Sequence, residues 1–201
     1  MATTVMGGRF RRNHHADLDG SVRGRLSGNA LRAAVLGAND GLVSNLSLVM
    51  GVAGAQLASA SILVTGIAGL LAGGLSMAMG EWISVQSARE LYAHQIDVEQ
   101  LEIGIDPQEL GGSAAVAAIS SFVPFTVGAA IPVLPFAFLS GTAATATSVA
   151  ASAAGLFLLG SAITLLTHRN VVRAGSRQLA IGLAAAAVTF AIGRLVGVEI
   201  A

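Results

Sequence analysis

Polar residues interrupt this chain only at long intervals, and the apolar stretches between them have the length of a bilayer crossing rather than the narrow stripe of a surface helix. A hydrocarbon core of about 30 Å needs roughly 20 helical residues, so the charge-free stretch from Leu57 to Gly80 makes Ile62–Val85 the clearest span. Ala30–Leu57 reads as the span before it, apolar except for Asn39, Asp40, Asn45 and Gln56, with Arg32 snorkelling at its edge. No Asp, Glu, Lys or Arg occurs from Leu110 to His168, a helix far longer than one bilayer at about 1.5 Å per residue. That stretch must fold back, and Pro132-Val133-Leu134-Pro135 with Ser140-Gly141-Thr142 marks the reversal. Spans are therefore expected near 114–137 and 144–167, and a fifth from 178 to 198, interrupted late by Arg194. The expected fold is all-α: a polytopic membrane protein with a five-transmembrane-helix bundle over 31–201, a flexible polar tail over 1–30 and a short acidic loop over 86–112.

Composition sharpens this reading. Hydrophobic residues make up 54% of the chain and charged residues 11%, against roughly a quarter charged in globular proteins, which disfavours a soluble enzyme. Eleven arginines balance eleven acidic residues, so no global basic field points to nucleic acid. Cysteine is absent, which excludes disulfides, thiolate metal sites and cysteine nucleophiles. With five spans, the tail, the 86–112 loop and the 168–177 loop share one side and hold Arg89, Arg169, Arg173, Arg177 and the tail arginines; the positive-inside rule makes that side cytosolic, the N-terminus with it. The first apolar stretch is too long for a signal-peptide core of about 7–15 residues, and a twin-arginine signal at Arg11-Arg12 fails on the same ground. Glycine and alanine at small-xxx-small spacing, as at Gly37 and Gly41 or Gly69 and Gly73, imply close helix packing and an oligomer. Basic residues that are all arginine suggest a GC-rich genome, hence a bacterial cell (inner) membrane, or a vacuolar-type membrane if the source is eukaryotic.

Candidate chemistry starts with Asp40, a third of the way into its span. An Asp near a helix centre costs about 2.5–3.5 kcal/mol, so this one is expected to face a polar cavity, with Ser44 and Gly37 on the same face. The alternative is that Asn39-Asp40-Gly41 is a turn and Asp40 caps a helix starting late. Met77 and Glu81 are four apart in the second span and share a face, joining a thioether to a carboxylate. With Asp40, that donor set suits ferrous iron or manganese better than calcium or magnesium. Met50 and Met79 read as packing. The acidic loop carries Glu90, Asp97, Glu99, Glu102, Asp106 and Glu109 without a positive charge, in a pattern that continues the helix out of the membrane as far as Pro107; Glu99 and Glu102 share a face. Such a cluster attracts hydrated divalent cations, or is simply a solvated helix. His14 and His15 in the tail read as inert, His168 as marking the membrane edge, and no GxSxG, P-loop, HExxH or dinucleotide motif supports an enzyme.

These residues resemble the vacuolar iron transporter family. Leu31-Arg32-Ala33-Ala34-Val35-Leu36-Gly37-Ala38-Asn39-Asp40-Gly41-Leu42-Val43-Ser44 is similar to its first-span signature, and Ser76-Met77-Ala78-Met79-Gly80-Glu81-Trp82-Ile83-Ser84-Val85 to its second, with Trp82 where tyrosine is usual. Gly128–Phe136 and Gly182–Gly193 resemble third- and fifth-span motifs, so the likeness covers 30 to 200. It implies a homodimeric five-helix exporter of Fe2+ or Mn2+ from the cytosol in exchange for protons, serving iron and manganese homeostasis, with no tightly bound cofactor. By the same resemblance Asp40 and Met77 form the transport site, Glu81 stands at the inner mouth, Asp40 and Glu81 couple to protons, and Glu99 and Glu102 match glutamates of a cytosolic metal-binding domain. Here that domain is shortened, since Asp106-Pro107 passes almost directly into span three. The rival readings are a non-transporting dimeric membrane scaffold, in which Asp40 only joins helices, and a passive cation channel.

Overall fold

A computed structural model describes residues 34–99, 113–167 and 170–200, with the backbone alone at 95–99, 163, 165–167 and 198–200. Among these residues the regular elements are all helices: α1 (Ala34–Gly54), α2 (Ser59–Glu99), α3 (Ala114–Val133), α4 (Pro135–Phe138), α5 (Gly141–Thr167) and α6 (Val171–Ile200). All but the single turn α4 are long and apolar enough to cross a membrane, which makes five spans. The protein is an all-α polytopic bundle. The tail 1–30 and the loop from 100 to 112, including Glu102, lie outside the described residues.

Local chemistry sets the ends of these helices. Gln56 adopts the left-handed region, φ 59°, and closes α1 while its N–H donates to the Ala53 carbonyl at 3.0 Å. Ser113 caps α3 by accepting from the Val116 N–H. Gly141, at φ 61°, opens α5, and its N–H donates to Ser59 Oγ at 3.1 Å, which ties the start of α5 to the start of α2. Asn170 caps α6 by accepting from the Arg173 N–H at 3.2 Å.

One expected boundary moves, while the reversal falls beside the expected Ser140-Gly141-Thr142 marker and the second span continues outward as expected. The fifth span begins at Val171 rather than 178, so Arg173 and Arg177 belong to its first two turns and not to a loop; the Asn170 cap starts the helix, and long arginine side chains reach the water from inside it. The proline pair does not turn the chain: Leu134 keeps helical angles, φ −51° and ψ −42°, and its N–H reaches the Ala130 carbonyl at 2.9 Å. Reversal waits for Leu139, extended at φ −125° and ψ 162°. Finally, α2 continues well past Val85. Its 41 residues measure about 60 Å, twice a bilayer core, so the helix emerges on the arginine-bearing side as the acidic pattern predicts.

α1 is the hub. Leu42, Leu46, Val49 and Met50 form a buried seam with Ile62, Val133, Phe136, Ala144, Leu156 and Ala186 from the surrounding helices. Backbone contacts fix its neighbours even more tightly. A Cβ at Gly41 would stand 2.1 Å from the Phe125 carbonyl oxygen of α3, and one at Gly128 of α3 would stand 2.1 Å from the Ala38 carbonyl oxygen. Further along, a Cβ at Gly54 would meet the Phe190 carbonyl oxygen at 2.2 Å, and one at Gly193 the Gly51 carbonyl oxygen at 1.8 Å. So α1 lies backbone to backbone against α3 in one half of the membrane and against α6 in the other, parallel to both, as odd-numbered spans must be. Small residues permit that approach, and packing drives it because lipid supplies no hydrophobic force between helices.

Two glycine replacements should therefore have opposite signs. Gly41→Ala is expected to cost at least the upper end of the about 1–3 kcal/mol typical of overpacking, because a backbone carbonyl cannot swing aside. At Gly80 a Cβ meets nothing within 4 Å, so Gly80→Ala should stabilise by about 0.5–1 kcal/mol through helix propensity. Thermal unfolding of the two variants in detergent checks both; equal effects would contradict the packing.

Candidate functional site

Asp40 is inside a regular helix. α1 is already helical at Ala34, so Asn39-Asp40-Gly41 is not a turn and Asp40 is not a cap. Its direction follows from its neighbours at about 100° per residue. Gly41 is pressed onto α3, and Asn39 accepts a hydrogen bond from Gln178 Nε2 of α6. Asp40 therefore points into the gap between those two contacts, and its side chain is exposed. Leu36, Asp40, Ser44 and Leu48, each four residues apart, form one exposed stripe along an otherwise covered helix. Among the described residues, nothing closes the expected polar cavity. Ser44 does share the face of Asp40, and its hydroxyl donates to the Asp40 backbone carbonyl, leaving the carboxylate free of it. Gly37 does not share that face: it is buried against the Ser121 carbonyl of α3.

Met77 is brought to this place. Its Sδ lies 3.6 Å from the position a Gly37 Cβ would occupy, and Gly37 is the helical neighbour of Asp40 one turn back, about 5–6 Å away at Cβ. The thioether of α2 thus packs against α1 on the Gly37 face, one turn before Asp40. Glu81, half-buried, follows one turn further toward the arginine-bearing end. Met50 is packing, as expected, but Met79 is exposed on the outside of α2. One residue of helix rotation separates it from the neighbouring, inward-turned Ala78. Glu99 lies on the emerging part of α2, its side chain not described, and Glu102 is outside the described residues. Among the described residues, no three His, Asp or Glu side chains come close enough to hold a metal ion. A site of this kind would need carboxylate from α1, sulfur from α2 and more ligands than one chain's described residues supply.

Two residues not singled out for chemistry hold this geometry. Asn45, buried, donates through Nδ2 to the Gly66 carbonyl of α2 at 3.1 Å and to the Ala129 carbonyl of α3 at 2.8 Å. It staples three spans at one point, and its Oδ1 is left without a hydrogen-bond partner. Gln178 of α6 fixes the turn that carries Asp40 through Asn39. The signal was in the chain: an amide placed among apolar residues in a span needs a partner, because lipid offers none. What the sequence lacked was the partner's identity.

The VIT family model matches residues 31–110 and 100–194, running from before α1 into the last helix. This chain belongs to the VIT family. Among relatives, it is 42% identical over 174 residues to vacuolar iron transporter homolog 1 of Oryza sativa subsp. japonica, covering 84% of this chain and 75% of that one. It is 42% identical over 168 residues to vacuolar iron transporter homolog 4 of Arabidopsis thaliana, covering 83% and 84%. A second rice relative, vacuolar iron transporter homolog 5, is 39% identical over 168 residues, covering 83% of this chain and 80% of that one. In this VIT-family chain the two stretches that carried the resemblance, 31–44 and 76–85, supply Gly37 and Met77, and these meet where α1 crosses α2.

Asn45→Ala should lower stability by about 1–2 kcal/mol, since two buried carbonyls lose a shared donor. The loss should appear in thermal unfolding in detergent. An unchanged midpoint would show that the staple carries no weight.

Proposed function

We propose that this protein exports Fe2+ or Mn2+ from the cytosol in exchange for protons, working as a homodimer in the membrane. The observation that carries the reading is the carboxylate of Asp40, held helical within the span and uncovered, one turn along α1 from where the Met77 sulfur packs. A carboxylate in hydrocarbon costs about 2.5–3.5 kcal/mol, so the Leu36-Asp40-Ser44-Leu48 stripe calls for a cover. A second copy across a twofold axis provides one, because an isologous contact sets the same stripe against itself. The two Asp40 carboxylates and the two nearby Met77 thioethers then line one path. Mixed oxygen and sulfur donors favour a borderline divalent metal over calcium or magnesium. The names of the relatives point to iron as cargo.

The exchange follows from competition for one charge. A carboxylate holds either a proton or a metal ion, and an arriving divalent cation displaces the proton by pairing with the ionised form. Glu81, one turn nearer the arginine-bearing end, receives metal from that side and passes protons to it. The placement of Arg89, Arg173 and Arg177 at that end makes it cytosolic. Export of each positive charge against a cytosol-negative potential costs about 2.3 kcal/mol per 100 mV, which returning protons offset. Metal and proton are both substrates. The shortened acidic segment, including Glu99 and Glu102, collects cations before they enter, with lower capacity than a full metal-binding domain would give. Basic residues that are all arginine favour a bacterial inner membrane as the setting, with a vacuolar-type membrane if the source is eukaryotic.

Reconstituted in liposomes, the protein should carry Fe2+ and Mn2+ at a rate that rises with an imposed proton gradient directed against the metal. Asp40→Ala should abolish flux, and Asp40→Asn should do the same without a change in shape. Flux that ignores the gradient would favour a passive channel. No metal flux in any gradient would favour a scaffold. Met77→Leu preserves volume at a stability cost under about 1.5 kcal/mol, so it should raise the metal KM while leaving the fold intact; an unchanged KM would remove the sulfur from the site.

A further inference from the structure

A second site lies on the exposed side of α6. Asn170, Arg173, Ala174 and Arg177 line a cavity of about 500 Å³ at the arginine-bearing end of that helix. Both arginines are exposed, and neither guanidinium has a hydrogen bond or ion pair among the described residues. Four residues apart, they project from one face as two forks over the same volume. The face continues along the span: at about 100° per residue, Ile181, Val188, Ile192 and Leu195 fall within roughly 100° of the arginines, and all four are exposed. A cationic cavity thus stands at the head of an uncovered apolar track running down the membrane.

The geometry points to an anionic glycerophospholipid as the occupant. Its phosphate sits in the Arg173–Arg177 cavity and its acyl chains lie along Ile181 and Val188, within about 17 Å of Arg177, the depth of one leaflet. Two guanidinium groups present paired N–H donors that match phosphate oxygens, which a single ammonium does not. Basic pockets at the cytoplasmic ends of spans are where such headgroups bind. Free phosphate offers the same oxygens but has nothing to lay on the apolar track, so the track selects the lipid. The site is independent of the transport reading, because neither arginine belongs to the Asp40–Met77 region.

Native mass spectrometry of the full chain, released from phosphatidylcholine nanodiscs with and without phosphatidylglycerol, tests it. Phosphatidylglycerol should be retained at least about tenfold more strongly than phosphatidylcholine. The Arg173→Gln/Arg177→Gln double variant should lose that preference, and Arg194→Gln, at the other end of α6, should keep it. Millimolar inorganic phosphate should fail to displace the lipid. Equal retention in the double variant would overturn the site, and displacement by phosphate alone would overturn the lipid as its occupant. Since the substituted side chains are exposed, both variants should elute from size exclusion as the parent does; a double variant that aggregates is replaced by Arg173→Lys/Arg177→Lys, in which the preference should fall while the charge stays, and a full preference there would equally refute the paired forks.

Discussion

The whole arrangement depends on the close approach of the α1 backbone to two other helices. Carbonyl oxygens of Phe125, Ala38, Phe190 and Gly51 occupy the space where a side chain would begin at Gly41, Gly128, Gly54 and Gly193. In a bilayer, helix association relies on packing and polar contacts, and both improve as backbones draw together. With α1 held this way its rotation about its own axis is fixed. There is one way to seat it, and every other position on the helix takes its direction from that seating.

Asp40 illustrates the consequence. Its outward direction is not a preference of aspartate but the residue left over once Gly37 and Gly41 meet α3 and Asn39 meets Gln178. The same seating brings the Met77 sulfur beside Gly37, one turn before Asp40. The helix that is most enclosed by its own chain therefore presents its one ionisable group on its one uncovered stripe. Among the described residues nothing encloses that group.

Polar groups at membrane depth follow a consistent rule. The Asn45 amide reaches carbonyls on two other helices, Ser148 donates to the Pro132 carbonyl, and Thr126 donates back to Phe122 on its own helix. Each either staples helices or turns inward on its own backbone. The Asp40 carboxylate does neither, and unlike the buried Ser152 and Ser161 hydroxyls, which also lack a partner among the described residues, it is exposed. At the arginine-bearing end the rule changes, since water and lipid phosphate are within reach there and Arg173 and Arg177 remain exposed.

The number of spans, the helical emergence of α2 and the family resemblance were legible in the chain itself, because the length of an apolar run and the spacing of its polar residues are local properties measured against a fixed bilayer thickness. The candidate residues Asp40, Met77 and Glu81 were legible for the same reason: a carboxylate or an i,i+4 pair within a span is conspicuous wherever it faces. Local rules went wrong where two of them competed. Arginines marked a loop at 168–177 although an asparagine cap and long side chains let the helix begin there, and a proline pair marked the reversal together with the Ser140-Gly141-Thr142 run although Leu134 keeps helical angles and the chain turns only at Leu139, beside that run. Which way Asp40 points, which sulfur of Met77 and Met79 turns inward, and which carbonyls Asn45 takes were decided only by tertiary structure. Rotation of one helix against another is set by contacts between residues distant in sequence, here glycines pressed against backbone on α3 and α6, and no stretch of α1 read alone contains that information.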